Sequence, residues 1–283
     1  MKRAHFIHSV GIVLCLLLAP MEGCTQDKGN GTPQSGQAGN AIPMVPTPQA
    51  LVETMLDMAK VVPSDYLIDL GSGDGRIVIA AAKRGAMALG IEHDPDLVEL
   101  SRRAAVKERV AARAAFEEAD VFASDFSQAT VITLFLLPDM LLKLRPKILD
   151  LQPGTRVVSN TFGMADWKPD QSLDTLAGWK PEQVMYIWET LPDWHVVHLW
   201  IVPAKIDGMW KFDNGQIEFA QRFQHITGTI TVGKKETTLT GTLAGDAISF
   251  FAGGTQYIGT VSGDTILGTR AGGNAWKADR LIE

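Results

Sequence analysis

Cysteine is nearly absent from this chain of 283 residues. The two that exist, Cys15 and Cys24, both lie in the first 24 positions. The rest has no thiol, which excludes disulfides, zinc–thiolate centres and a cysteine nucleophile there. A metal centre of other donors is not expected either. His195 and His198 lie three apart in a late apolar stretch, but no third ligand accompanies them. Runs of Lys and Arg are also missing, and the net charge is −6. Without a basic patch, nucleic acid is not expected as a partner. After residue 24 no apolar stretch is long enough to cross a bilayer.

What the first residues contain is a separate message. Lys2 and Arg3 precede an apolar run from Val10 to Ala19, followed by Pro20-Met21-Glu22-Gly23-Cys24. A charged start, an apolar segment too short to span and a small residue before a break form a secretory signal over residues 1–23. Gly23-Cys24 resembles a bacterial lipoprotein cleavage site, which implies an anchor at Cys24. Met21 and Glu22 depart from that pattern, and plain cleavage into the periplasm is the alternative. Either way the expectation is export to the cell envelope. Residues 24–42 are rich in Gly, Gln, Asn, Ser and Thr and read as a flexible tether.

From Val45-Pro46-Thr47-Pro48 the texture becomes that of a folded domain, expected over 43–205. Thr47 can cap a helix whose first turn accepts Pro48. Leu51, Met55, Met58 and Val62 recur at helical spacing and are expected to face a core. Beyond Tyr66 strands and helices alternate. Strands are expected at 66–70, 87–91, 115–119, 130–136 and 155–160, with helices at 74–84, 95–111 and 139–149. Residues 129–136 are nearly all apolar, as a central parallel strand covered on both faces should be. Two late segments, Gln183 to Glu189 and His195 to Val202, could pair as a hairpin. The fold class is therefore α/β, a doubly wound, Rossmann-like sheet. After Pro203 the pattern shifts again. Gly-Thr dipeptides at 228, 241, 254, 259 and 268 punctuate short strands roughly ten residues apart. Residues 206–283 are expected to form a small antiparallel all-β domain, with Trp210 and Trp276 packed together in its core.

The chemistry concentrates in one turn. Tyr66-Leu67-Ile68-Asp69-Leu70 ends in an acid-bearing strand. Gly71-Ser72-Gly73-Asp74-Gly75 turns the chain, and a helix follows. Glycines permit positive φ and close approach to bare backbone, and the helix start offers unpaired N–H groups. A second strand ends in Glu92, about 20 residues on, where an acid can accept both ribose hydroxyls. The spacing G-x-G-x-G is not the dinucleotide fingerprint, and Arg76 stands where its third glycine would be. Asp69 and Asp74 would repel a pyrophosphate, whereas they favour the amine and sulfonium of S-adenosylmethionine (SAM). A plain βα turn without a ligand is the alternative.

These residues resemble the first motif of the seven-strand, class I SAM-dependent methyltransferases. The resemblance implies that Asp69, Gly71, Ser72, Gly73, Asp74 and Gly75 hold the methionine half of SAM and Glu92 its ribose. It also implies that Asp120, after the third strand, lies near the adenine amine, and that an antiparallel hairpin closes a seven-strand sheet. Val45 to Pro48, Asp69 to Val78 and Ala129 to Pro138 with Leu141 to Arg145 are similar to one subgroup: the non-SET histone-lysine methyltransferases and the enzymes that methylate a lysine of the ATP synthase c-subunit. That similarity covers about residues 43–168. It implies methylation of a protein lysine. One departure stands out: where the histone enzymes carry asparagine and aromatics after strand four, this chain reads Phe135-Leu136-Leu137-Pro138. The Asn/Asp-Pro-Pro-aromatic motif used on amide or adenine nitrogens is absent too.

On the acceptor side, Phe135, Asn160, Phe162 and Trp167 lie at or beyond the ends of strands four and five, where open α/β folds place their sites. Packing aromatics and a turn asparagine are the alternative for these four. No residue stands out as a general base. Two other functions are compatible with the sequence: methylation of a small molecule or lipid, and a non-catalytic binding module on the same scaffold. Export favours the latter, because SAM is made in the cytosol; the intact Asp69, Gly71, Gly73 and Glu92 speak against it.

Overall fold

The computed structural model describes residues 46–175 and 195–281. The first 45 residues, with the expected export signal, Cys24 and the expected tether, lie outside the described residues, as does the segment Gln183 to Glu189.

The first helix, α1 (Gln49–Met58), buries Leu51, Val52, Met55 and Leu56 on one stripe. Two expectations about it are corrected. Pro48, not Thr47, is its N-cap residue, and no side chain caps it. Thr47 is turned inward and is only 4% exposed. Val62 lies beyond the helix end and is 46% exposed, so its helical spacing is coincidental. The alternation that follows is β1 (Tyr66–Leu70), α2 (Arg76–Lys83), β2 (Met87–Glu92), α3 (Pro95–Lys107), β3 (Ala114–Glu118), β4 (Val131–Leu134), α4 (Pro138–Leu149) and β5 (Arg156–Asn160). Local chemistry fixes the boundaries. Asp94 caps α3 through Oδ1, accepting from the N–H groups of Asp96 and Leu97, and Pro95 occupies the first turn.

The remaining strands of this sheet are β6 (Gln171–Asp174) and β7 (Val196–Ile201). The order is β3-β2-β1-β4-β5-β7-β6. Strands β1 to β5 run parallel, and β7 joins β5 antiparallel. The partner of β7 is thus β6, whose polar, exposed sequence hid it from a hydrophobicity pattern. One face of the sheet packs on α1, α2 and α3 through Leu67, Val131 and Val158; the other carries Ile68, Leu70, Ile132 and Val157 with Leu141, Leu144 and Ile148 of α4. Residues on alternate sheet faces in each strand account for the double winding.

The C-terminal strands, β8 (Gly208–Phe212), β9 (Gly215–Arg222), β10 (His225–Val232), β11 (Lys235–Ala244), β12 (Ala247–Ala252), β13 (Thr255–Ser262), β14 (Thr265–Arg270) and β15 (Ala275–Arg280), close into an antiparallel barrel. Closure pairs β15 with β8 and removes free sheet edges. Its interior is aromatic. Trp276 meets Phe212, Phe250 and Tyr257 at ring-centroid distances of 5.8, 5.6 and 5.9 Å. The expected partnership of the two tryptophans takes another form: Trp210 packs edge-on against Phe219 and under the Arg280 guanidinium, and Phe250 links Phe219 to Trp276. Gly268 is required by this packing, since a Cβ there would lie 2.5 Å from Trp276 Nε1 and 2.0 Å from the Ile258 carbonyl oxygen.

Sheet and barrel meet over the loop after β5. Trp167 is fully buried, stacks on Phe223 at 5.8 Å and donates from Nε1 to Gln224 Oε1 at 3.1 Å. Gln224 donates in return to the Lys168 carbonyl, and Asp166 pairs with both Arg145 and Arg222. The placement of Trp167 on the acceptor side is therefore corrected. It is the anchor between the two halves, beside Trp200 at 6.0 Å.

Candidate active site

The site is assembled where the parallel strands end. Register places it. Asp69 pairs with Gly90 on one side and Thr133 on the other, and Thr133 pairs with Val158. Beyond these pairs β2 ends in Glu92 and β5 in Asn160, while Gly71 follows the last residue of β1 and Phe135 the last residue of β4. The sheet thus sets an acid, a bare-backbone turn, an aromatic ring and an amide side by side.

The turn takes its shape from glycine. Gly71, Gly73 and Gly75 have φ of 80°, 54° and 77°, a region that side-chain-bearing residues rarely enter. Gly75 also meets protein: a Cβ there would lie 2.6 Å from Phe116 Cε1 and 2.8 Å from Ser101 Cβ. Its bareness lets α3 and β3 approach, so protein packing by itself already requires glycine at that position. Ser101 fastens the arrangement by donating to the Gly73 carbonyl at 3.1 Å.

Glu92 faces this turn. Its Oε2 accepts from the Gly73 N–H at 2.9 Å, and its Oε1 accepts from the N–H groups of His93 and Asp94 at 2.8 and 3.1 Å. Three backbone donors therefore fix the carboxylate. Asp69 is 2% exposed and accepts from the Thr133 hydroxyl at 2.7 Å. Burial pushes its carboxyl up to about 7; the Thr133 hydrogen bond opposes this, and the negative charges of Glu92 and Asp74 add to it. Ser72 Oγ is buried without a hydrogen-bond partner among the described residues.

Two acids have other surroundings than the sequence suggested. Asp74 is forked by Arg76, whose Nε lies 2.9 and 3.1 Å from its two oxygens, so its charge is matched within the chain. Asp120 is exposed and two residues beyond β3. Its Oδ1 accepts from the Phe122 N–H at 2.8 Å, as a turn acid does. At the other end of the row, Phe135 and Phe162 stack with centroids 6.2 Å apart and planes 18° apart. Asn160 is 1% exposed; its Oδ1 accepts from the Thr161 hydroxyl at 3.0 Å, and its Nδ2 stands 3.5 Å from Thr47 Oγ1. Thr161 itself holds φ at 67°.

Sequence reasoning missed Thr47, Thr133 and the fork of Arg76. Thr133 did carry a signal: a hydroxyl in a run of apolar residues, beside the motif acid once β1 and β4 pair. Among the described residues no cluster of His, Cys, Asp and Glu could hold a metal ion, and no helix is long and apolar enough to cross a membrane.

Residues 69–171 match the model of the ANTKMT methyltransferase domain. The protein-lysine N-methyltransferase of Saccharolobus islandicus (strain REY15A) is 41% identical over 133 residues, which is 46% of this chain and 83% of that protein. The human lysine N-methyltransferase named for the ATP synthase c-subunit is 38% identical over 140 residues, 48% of this chain and 60% of that enzyme's length. Among solved structures, an RNA methyltransferase from Salinibacter ruber in complex with S-adenosyl-L-homocysteine aligns over 57% of this chain and 96% of its own, with a TM-score of 0.50 and 44% identity. The fold, the strand-end acids and these relatives define a SAM-dependent methyltransferase. The chain belongs to the family of protein-lysine N-methyltransferases represented by the Saccharolobus enzyme. Its residues fit the cofactor: a fixed carboxylate beside the glycine turn, a buried acid behind it and the unsatisfied Ser72 hydroxyl.

Proposed function

We propose that the protein methylates a lysine side chain of a protein acceptor. Two relatives carry lysine methylation in their names. The observation in this chain that carries the reading is the stacked Phe135–Phe162 pair, which follows β4 and β5 at the end of the sheet where Glu92 closes β2 and Gly71 follows β1.

The roles follow from position. Glu92, held by three amides, accepts from the ribose hydroxyls. Asp69 and the 71–75 turn face the methionine half, and Asp120 lies on the adenine side. Bound SAM supplies a methyl group on a positively charged sulfur, which is electrophilic without further activation. What the chain must do is position the amine in line and keep water out. A lysine ammonium has no lone pair, so it must first release a proton. Burial beside the Phe135–Phe162 stack would lower its pKa by desolvation. With SAM held by Glu92 and the glycine turn, the neutral amine would accept the methyl group from sulfur, and S-adenosylhomocysteine would leave as the neutral thioether.

RNA is the competing acceptor, because the Salinibacter protein is described as an RNA methyltransferase. The net charge of −6 disfavours it. Residues 1–24 support a location at the cell envelope, periplasmic or anchored at Cys24.

Methyl-labelled SAM incubated with envelope and cytosolic fractions tests the reading, with wild type beside Gly73→Arg. A protease-sensitive band carrying methyl-lysine, labelled only by wild type, is the expected result. Label removed by ribonuclease, or no wild-type label in any fraction, would overturn it.

A further inference from the structure

Arg76 holds together two parts of the site that the sequence keeps 29 residues apart. From the first position of α2 its guanidinium forks onto Asp74, with Nη2 at 2.5 Å from Oδ2, and its Nη1 donates to the Thr47 carbonyl at 2.7 Å. Thr47 in turn presents Oγ1 to Asn160 Nδ2 at 3.5 Å, at the end of β5. Residues 46–48 therefore bridge the cofactor turn and the acceptor end of the row.

Helix stability does not explain this arginine. A cation in the first turn opposes the helix dipole, whose N-terminal end is positive. The residue before it, Gly75, offers no side-chain cap. Its partners do explain it: one carboxylate in the glycine turn, and one carbonyl in a proline-flanked segment with few backbone donors of its own.

We propose that Arg76 is a positioning residue that latches the Pro46-Thr47-Pro48 segment over the site and thereby shapes the pocket for the methionine half of SAM. The latch rests on the cofactor reading given above. A lysine at this position keeps the charge beside Asp74 but cannot span both partners.

Arg76→Lys and Arg76→Ala separate the two contributions. The first readout is amide hydrogen exchange at Leu51 and Val52, which donate to the Pro48 carbonyl at 2.9 and 3.0 Å and report on the segment's attachment. The second is the affinity for S-adenosylhomocysteine by calorimetry, and the third is the melting temperature. In both variants, exchange at these amides should rise about tenfold and the affinity should fall about tenfold, each equivalent to about 1.4 kcal/mol. The melting temperature of Arg76→Lys should stay near wild type. Unchanged exchange in Arg76→Lys would overturn the latch. Faster exchange with unchanged affinity would leave it a structural tie only and overturn the positioning role. Failure of wild type to bind S-adenosylhomocysteine would strike the cofactor reading itself, whereas wild-type binding with unchanged variants strikes only the latch.

Discussion

The hydroxyl of Thr133 donates to Asp69 Oδ1 at 2.7 Å across two adjacent parallel strands, inside a fully covered sheet. That bond is the main compensation for a buried acid that sits at about 7 instead of its ordinary 3.8. Cofactor affinity should therefore depend on pH. A cationic ligand favours the ionised form, so binding of SAM, with its sulfonium, should strengthen as pH rises from 6 to 8 and then level off. Calorimetry across that range reads it. A flat profile would remove Asp69 from the binding role.

The same shift has the opposite consequence for stability without ligand. The folded state binds the proton more tightly than the unfolded chain, so this contribution is present below about pH 4. It is lost as pH rises through about 7. Asp69→Asn should raise the melting temperature of the ligand-free protein at pH 8, on the order of a few kcal/mol in stability. It should also weaken cofactor binding tenfold or more. Thermal melts with and without ligand separate the two effects.

Asp65 behaves in the reverse sense at the other end of β1. Burial alone would raise its carboxyl, but the Val62 N–H, the Thr130 hydroxyl and Arg156 together hold it below the usual range. Its contribution is present above about pH 4 and is lost as pH falls through the lowered value. Asp65→Asn should cost about 2–4 kcal/mol at pH 7 by leaving Arg156 without its charge partner. The cost should shrink toward pH 3. Urea titrations at both pH values check this.

Trp167→Ala should separate the halves of the molecule more than it damages the site. It removes the stack on Phe223, the contact with Trp200 and the bond to Gln224. About 3–5 kcal/mol is expected for loss of a buried tryptophan. Calorimetric melting should resolve into two transitions, with S-adenosylhomocysteine affinity within threefold of wild type. A large loss of affinity would show that the joint at Trp167 also supports the cofactor site.

Gly268→Val should unfold the barrel, because its Cβ would strike the Ile258 carbonyl and Trp276. Gly163→Ala should be nearly neutral, since nothing lies within 4 Å of a Cβ there. Near-ultraviolet circular dichroism, to which Trp210 and Trp276 contribute from inside the barrel, distinguishes the pair.

Most of the sheet was legible because its strands are short apolar runs broken by glycine turns. Their edges moved by a few residues only: β4 is Val131–Leu134 where 130–136 was expected. Strand β6 was not legible, because all four of its residues are exposed and no alternation marks it. The acids were found by their place after strands, but position could not say what each one faces. Asp69 turns to Thr133 on the next strand, Glu92 takes the Gly73 amide, Asp74 answers Arg76, and Asp120 caps its own loop.

Local order determined the class of this protein. Strand, acid, three-glycine bend, helix and second acid lie between Tyr66 and Glu92, and neighbours that close need no tertiary fold to be read together. Contacts between distant residues decided the rest. Trp167 became a joint because Phe223 and Gln224 come to it from the barrel, and Thr47 entered the site because Arg76 and Asn160 reach it from α2 and β5. Side chains of the same type can bind, pack or pair, and only the partner across space chooses among them.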